Sequence, residues 1–106
     1  MQAKLLRIHL NESDCFEGQP LYEAVVAKCR EQRIAGATVI RGLEGFGGPG
    51  DIHRSRLVTR DQPLIIVIVD SEEAIERFLP VVEKMLERGI LAVSQVEMVR
   101  VERPAV

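Results

Sequence analysis

Between Lys4 and Leu10 apolar and polar side chains alternate: Leu6, Ile8 and Leu10 share one face, Leu5, Arg7 and His9 the other. A period of two is the mark of a strand with one buried face. Asn11 to Gln19 is polar and reads as a loop. The period then changes. Leu21, Ala24, Val25 and Cys29 recur at helical spacing, with Pro20 near the first turn, where a missing N–H costs little. Arg30 and Arg33 suit the C-terminal end of that helix, and Gly36 is its expected stop. Ala37 to Glu44 predicts a second strand, and a glycine-rich segment follows it. Arg56 to Arg60 is compatible with an extended chain, and Asp61-Gln62-Pro63 marks a bend or bulge. Leu64 to Val69 is unbroken in its apolar character, the pattern of a strand buried on both faces. Asp70, with Glu73 three residues on, predicts the start of a second helix through a capping box. The apolar stripe of that helix is Ile75, Phe78, Leu79, Val82 and Leu86. Pro80 lies inside the stripe and predicts a kink rather than a break, because the stripe stays in register across it. Gly89 is the expected residue just past the helix end. Ile90 to Val101 predicts a last strand with Glu97, Val99 and Val101 on one face, and Glu102 to Val106 is expected to fray.

The order is strand, helix, strand, strand, helix, strand. It predicts an α+β fold, a ferredoxin-like βαββαβ sandwich with both helices on one face of the sheet. A chain of 106 residues corresponds to one domain spanning 1–106. No third helix exists to cover the other sheet face, yet Leu64 to Val69 is apolar on both sides. An apolar patch of that size is unfavourable in water. The expectation is an oligomer packed through its sheets; the alternative is that loops cover the face.

Composition narrows the class. Aromatic residues make up 4% of the chain and Trp is absent, so the core is aliphatic. The formal net charge of -2 argues against nucleic-acid binding, which wants a basic face. Arg7 and His9 interrupt any apolar stretch that could serve as a signal peptide. The longest apolar run is far too short to span a bilayer. No membrane insertion is expected, and the cytoplasm is the expected compartment. Cys15 and Cys29 have no C-x-x-C spacing; Cys29 falls on the apolar side of the first helix and reads as a small core residue, Cys15 as a loop thiol.

Charge is not evenly spread. Five of the eight glycines lie in Gly42-Leu-Glu-Gly45-Phe-Gly47-Gly48-Pro-Gly50, and Arg41, His53, Arg54, Arg56 and Arg60 surround them. Glycine lets a ligand approach the main chain closely, and backbone N–H groups with guanidinium groups make an anion cradle. The segment Arg41 to Arg60 is therefore the candidate working part; the plain alternative is a long hairpin loop with solvated charges. Gly45-Phe46-Gly47-Gly48-Pro49-Gly50 matches the dinucleotide pattern G-x-G-x-x-G, but no helical stripe follows the last glycine, as that fingerprint requires. His9 and His53 have no His or Cys at ligand spacing, so no metal site is expected; His9 reads as a sheet-face or interface residue. Glu12, Asp14 and Glu17 read as a solvated acidic loop. No pairing of base with nucleophile emerges, so catalytic residues are not assigned.

Several motifs together resemble a bacterial and archaeal PII-like family, domain of unknown function 190. They are Glu12-Ser-Asp14, Gly18-Gln-Pro-Leu-Tyr-Glu-Ala24, Ala35-Gly-Ala-Thr-Val39, Arg41-Gly-Leu-Glu-Gly-Phe-Gly47, Ile52-His53, Ile68-Val-Asp70 and Phe78-Leu-Pro80. The likeness runs from Lys4 to about Val101. It implies a ferredoxin-like fold in a homotrimer with sheets inside and helices outside. It also implies that the loop between the second and third strands corresponds to the PII T-loop, with adenine nucleotides bound in clefts between subunits. In this chain the implied contributors are Gly45 to His53, the turn at Gly89, and Arg100 to Arg103. The loop is short for a signalling T-loop and offers no tyrosine for uridylylation, since the one Tyr is Tyr22 on the first helix.

The resulting expectation is a non-enzymatic trimeric sensor of an anionic small ligand, with AMP, ADP or ATP the leading candidates and no cofactor required. Backbone N–H groups of Gly45 and Gly47, flanked by Phe46 and Gly48, would hold phosphate. Arg41, Arg54 or Arg56 would neutralise it, and His53 would add a pH-sensitive donor. Gly89, Arg100 and Arg103 complete the expected site. The output would be ordering of the loop, read by a protein or transporter partner. The alternatives are a CutA-like protein of divalent-metal tolerance, against which the sparse His and Cys count, and an enzyme using the same cleft.

Overall fold

The computed structural model describes residues 1–45 and 61–104. Strand β1 (Gln2–Asn11) is followed by two short strands, β2 (Cys15–Phe16) and β3 (Gln19–Pro20), then helix α1 (Leu21–Glu31) and strand β4 (Thr38–Arg41). Strand β5 (Pro63–Ser71), helix α2 (Glu72–Glu83) and strand β6 (Ile90–Glu97) complete the described elements. The large sheet is antiparallel in the order β4-β5-β1-β6. That is the ferredoxin-like βαββαβ arrangement, with the first strand at the centre and each helix linking two strands that are not neighbours.

Alternation decides which face is the core. Leu6, Ile8 and Leu10 of β1 and Leu64, Ile66 and Ile68 of β5 are buried together with Val25 and Cys29 of α1 and Ile75, Phe78 and Val82 of α2. The opposite face carries Leu5, Arg7 and His9 beside Ile65, Val67 and Val69, the pairs Leu5↔Val69, Arg7↔Val67 and His9↔Ile65 being in register. Ile40 of β4 lies next to Ile65, and Ile90 of β6 next to His9. Ile65, Val67 and Val69 are half-buried, while Ile40 and Ile90 are 48% and 64% exposed. The run Leu64 to Val69 thus has one face sealed by helices and one face open in the single chain. His9 is on the open face, as its position in the alternation predicts.

The helix ends differ from expectation in instructive ways. Helix α1 stops at Glu31, well before Gly36. The Arg33 N–H donates to the Arg30 carbonyl at 3.1 Å and the Ile34 N–H to the Cys29 carbonyl at 2.9 Å. Arg33 has φ 61. This is a Schellman motif with arginine in the left-handed position where glycine is usual, secured by burial of Ile34. Helix α2 is capped by Ser71, whose Oγ accepts the Ala74 N–H at 3.1 Å, and not by Asp70. The Asp70 carboxylate is engaged elsewhere, by the Ala35 N–H at 2.9 Å and the Ser71 N–H at 2.7 Å. Helix α2 runs on through Pro80 and ends at Glu83, so Leu86, expected on its stripe, and the buried Met85 lie in the chain just beyond it.

The turns and strand ends also depart from the expected pattern. The polar stretch after β1 holds a small hairpin, Cys15↔Pro20 and Phe16↔Gln19, turned by Glu17 (φ 49) and Gly18 (φ 81). Two successive positive φ values are what a two-residue hairpin turn needs. Gly89 is not the residue just past α2, whose C-cap is Lys84; it has φ 135 and leads into β6. Finally, β4 spans only Thr38–Arg41 and β6 ends at Glu97, so Val99 and Val101 lie beyond the ladder and are exposed.

Candidate functional site

Four strand ends meet at one pole of the sheet. The ladder pairs Asn11 with Pro63, Arg41 with Leu64, and His9 with Ile90. The end of β1, the end of β4, the start of β5 and the start of β6 are therefore neighbours. The turn after β1 is the hub. Asn11 donates its N–H to Asp14 Oδ2 at 2.9 Å, and the Asp14 N–H returns to the Asn11 carbonyl at 3.0 Å. The Glu12 N–H donates to the Gln62 carbonyl at 2.9 Å. Ser13 gives its N–H and its hydroxyl to the two oxygens of Asp61, at 2.9 and 2.7 Å. The Asp14 carbonyl accepts the Leu21 N–H at 2.8 Å, which satisfies the first turn of α1 in place of a side-chain cap.

The glycine segment leaves the sheet at this pole. The Gly42 N–H donates to the Pro63 carbonyl at 2.7 Å. A Cβ on Gly42 would sit 2.9 Å from Pro63 Cγ, so a side chain there collides with the proline ring. Arg41 Nη2 pairs with Glu12 Oε2 at 2.5 Å. From the other edge, Arg88 Nη2 lies 3.5 Å from Asp14 Oδ1. Gly89 follows Arg88, and a Cβ there would stand 2.8 Å from the His9 carbonyl oxygen and 2.8 Å from Leu86 Cδ2. Its positive φ and this close approach both require glycine.

Of the residues expected at the site, Arg41, Gly45 and Gly89 are at this pole. Arg100 and Arg103 are not. They follow Glu97, which pairs with Gln2 at the opposite end of the sheet. Within one chain the two groups are a full strand length apart. Phe46, Gly47, Gly48, His53, Arg54 and Arg56 lie outside the described residues, as does the expected extended stretch from Arg56 to Arg60. Glu12 and Asp14, expected to be solvated, are instead ion-paired, and Asp14 is 13% exposed. Arg88 belongs to the pole too, although no motif in the sequence singles it out; its place one residue before a glycine in a tight turn was the only local sign.

The remaining reactive groups sit elsewhere. Cys29 is buried in the core, and desolvation pushes its thiol from an ordinary 9.0 to about 11. Cys15 is exposed, its Sγ 3.5 Å from the Ser13 carbonyl oxygen. Among the described residues, no group of three or more His, Cys, Asp or Glu is placed to hold a metal ion. Among the same residues, no helix is long and apolar enough to cross a membrane. An open, mainly apolar groove lies along α1 and the edge of β4, lined by Tyr22, Glu23, Val26, Ala27, Arg30 and Val39.

Comparison with known proteins agrees with this architecture. The family model DUF190, described as an uncharacterised conserved region, matches residues 3–98. A UPF0166 protein of Aquifex aeolicus is 34% identical over 101 residues, covering 93% of this chain and 95% of the relative. A UPF0166 protein of Methanocaldococcus jannaschii is 36% identical over 97 residues, covering 88% of this chain and 87% of the relative. Among solved structures, CPII of Thiomonas intermedia bound to ADP and bicarbonate superposes with a TM-score of 0.64 at 21% identity, covering 94% of this chain and 91% of that one. A PII-like signalling protein of Thermus thermophilus gives a TM-score of 0.63 at 19% identity, covering 91% of this chain and 88% of that one. At these identities the structural likeness establishes the fold.

Proposed function

The chain belongs to the DUF190 family, and from that premise we propose that it is a non-enzymatic PII-like regulatory protein. It assembles as a homotrimer through its open sheet face and binds an adenine nucleotide at the pole where the glycine segment leaves the sheet. One observation carries the reading: Arg41 and Gly45, at and after the end of β4, and Gly89, before β6, lie at the same end of the sheet. An exposed guanidinium close to glycine backbone suits a phosphate group. The apolar open face around Val67 supplies a reason to assemble. CPII, which shares the fold, has been captured with ADP, with ADP and AMP, and with bicarbonate. Arg100 and Arg103 join such a cleft only where a neighbouring subunit brings them to it. Binding would be read out by a protein or transporter partner.

The test is calorimetric titration of the assembled protein and of Arg41→Ala with AMP, ADP and ATP at two salt concentrations. At least one nucleotide should bind, more weakly at high salt because exposed charge contacts are screened within ~8 Å. Arg41→Ala should cost about 1.5–3 kcal/mol of affinity, the range for a charged hydrogen bond. No heat with any nucleotide would remove the reading.

A further inference from the structure

The sheet order puts β4 and β6 at opposite edges, three strand spacings apart, roughly 14 Å. Arg41 ends β4 and Arg88 precedes β6, yet both side chains turn inward onto the same short turn after β1. Arg41 meets Glu12 and Arg88 meets Asp14, two carboxylates separated by one residue. We propose that Glu12 and Asp14 are built-in competitors for the anionic ligand: they hold Arg41 and Arg88 in the unliganded chain, and an oligophosphate binds by taking those guanidinium groups over. The inference rests on the nucleotide reading above and adds Arg88 and two opposing carboxylates to that site.

Three features support the exchange. The arginine side chains are 58% and 67% exposed, so an anion in solution can reach them without opening the fold. The turn does not depend on either ion pair. Asn11 N–H to Asp14 Oδ2, Glu12 N–H to the Gln62 carbonyl, and Ser13 to Asp61 hold its shape independently. An ion pair that leaves its guanidinium in solvent is weak, whereas a phosphate group offers more charge and more acceptor oxygens to a guanidinium fork. A ligand with one carboxylate gains little by the trade, and one with several phosphate oxygens gains at both arginines. The competitors thus raise the threshold for simple anions and favour ligands that engage both edges of the sheet.

The experiment is calorimetric titration of ADP into the full chain as wild type, Glu12→Gln, Asp14→Asn, Glu44→Gln, Arg88→Ala and the doubles Glu12→Gln/Arg41→Ala and Asp14→Asn/Arg88→Ala. Gln and Asn keep an acceptor oxygen, so the Asn11 N–H stays satisfied. Glu44→Gln removes the same charge at the same pole from a side chain with no ion pair among the described residues, and controls for the general field. Glu12→Gln and Asp14→Asn should each tighten ADP about two- to fivefold, the range of a pair whose guanidinium stays in solvent, and more than Glu44→Gln does. Arg88→Ala should weaken it, and each gain should vanish when the partnered arginine is absent. ADP binding in wild type with neither carboxylate variant tighter than Glu44→Gln overturns the competitor role alone. So do gains that persist without the arginines. Absence of ADP binding in wild type and in both carboxylate variants removes the nucleotide reading, and the competitor role with it.

Discussion

Cys29 shows how burial writes itself into chemistry. Its side chain is 3% exposed among the aliphatic residues of α1 and the sheet, and its thiol is raised from 9.0 to about 11. Between those two values the unfolded chain releases the thiol proton while the folded chain keeps it. Folded stability from this group is complete below 9.0 and is lost as pH rises toward 11. Urea unfolding midpoints followed from neutral pH into that window should fall more steeply for wild type than for Cys29→Ala. Equal slopes would mean that the thiol is not desolvated in solution. The same comparison removes the contribution of lysine and tyrosine groups, which are common to both proteins.

Helix α2 separates two residues that sequence alone makes equivalent. Asp70 and Ser71 are both good N-caps, and Asp70 has the acidic residue at the spacing of a capping box. Geometry chooses Ser71, because the Asp70 carboxylate already ties the turn after α1 to the end of β5. Ser71→Ala should therefore cost about 1 kcal/mol in urea unfolding, the usual loss for a cap. Glu73→Ala should cost only a few tenths, the scale of an acidic side chain near the helix start. A larger loss for Glu73→Ala would restore the box centred on Asp70. The fold was legible where local pattern dictates it: alternation in β1, the apolar run of β5 and the α2 stripe from Ile75 to Val82 stand where their spacing puts them, while Leu86 falls past the helix end. The ends were not, because they depend on contacts made across the fold. Gly36 looked like the stop of α1, but Ile34 finds the core first and forces Arg33 into the left-handed region at about 1–2 kcal/mol. Arg41 and Gly45 stand out in the sequence as an arginine beside a glycine cluster, Gly89 only through the family resemblance, and the fold brings all three to one pole. The pairing of Arg88 with Asp14 spans most of the chain and leaves no local pattern.

At the scale of the molecule, the two faces of β5 make opposite predictions for adjacent residues. Ile66 is fully buried against the helices, whereas Val67 is half-buried on the open face. Ile66→Asp should abolish folding, since an unpaired buried carboxylate costs about 4 kcal/mol or more. Val67→Asp should leave a chain with wild-type helical circular dichroism that no longer assembles. Light scattering showing Val67→Asp as large as wild type would deny the open face a role in assembly. The central position of β1 has another consequence, in time rather than space. This strand comes first in the chain, yet both its neighbours come late: Asn11 waits for Pro63, and Gln2 for Glu97. On a ribosome this strand emerges long before either partner exists, and α1 is the first helix at hand to shield Leu6, Ile8 and Leu10. The sheet cannot close until β5 and β6 have been made, so its folding is governed by distant pairings, which form slowly compared with the local contacts of a helical bundle. Until then the residues destined for the centre of the core are the ones most exposed to wrong partners.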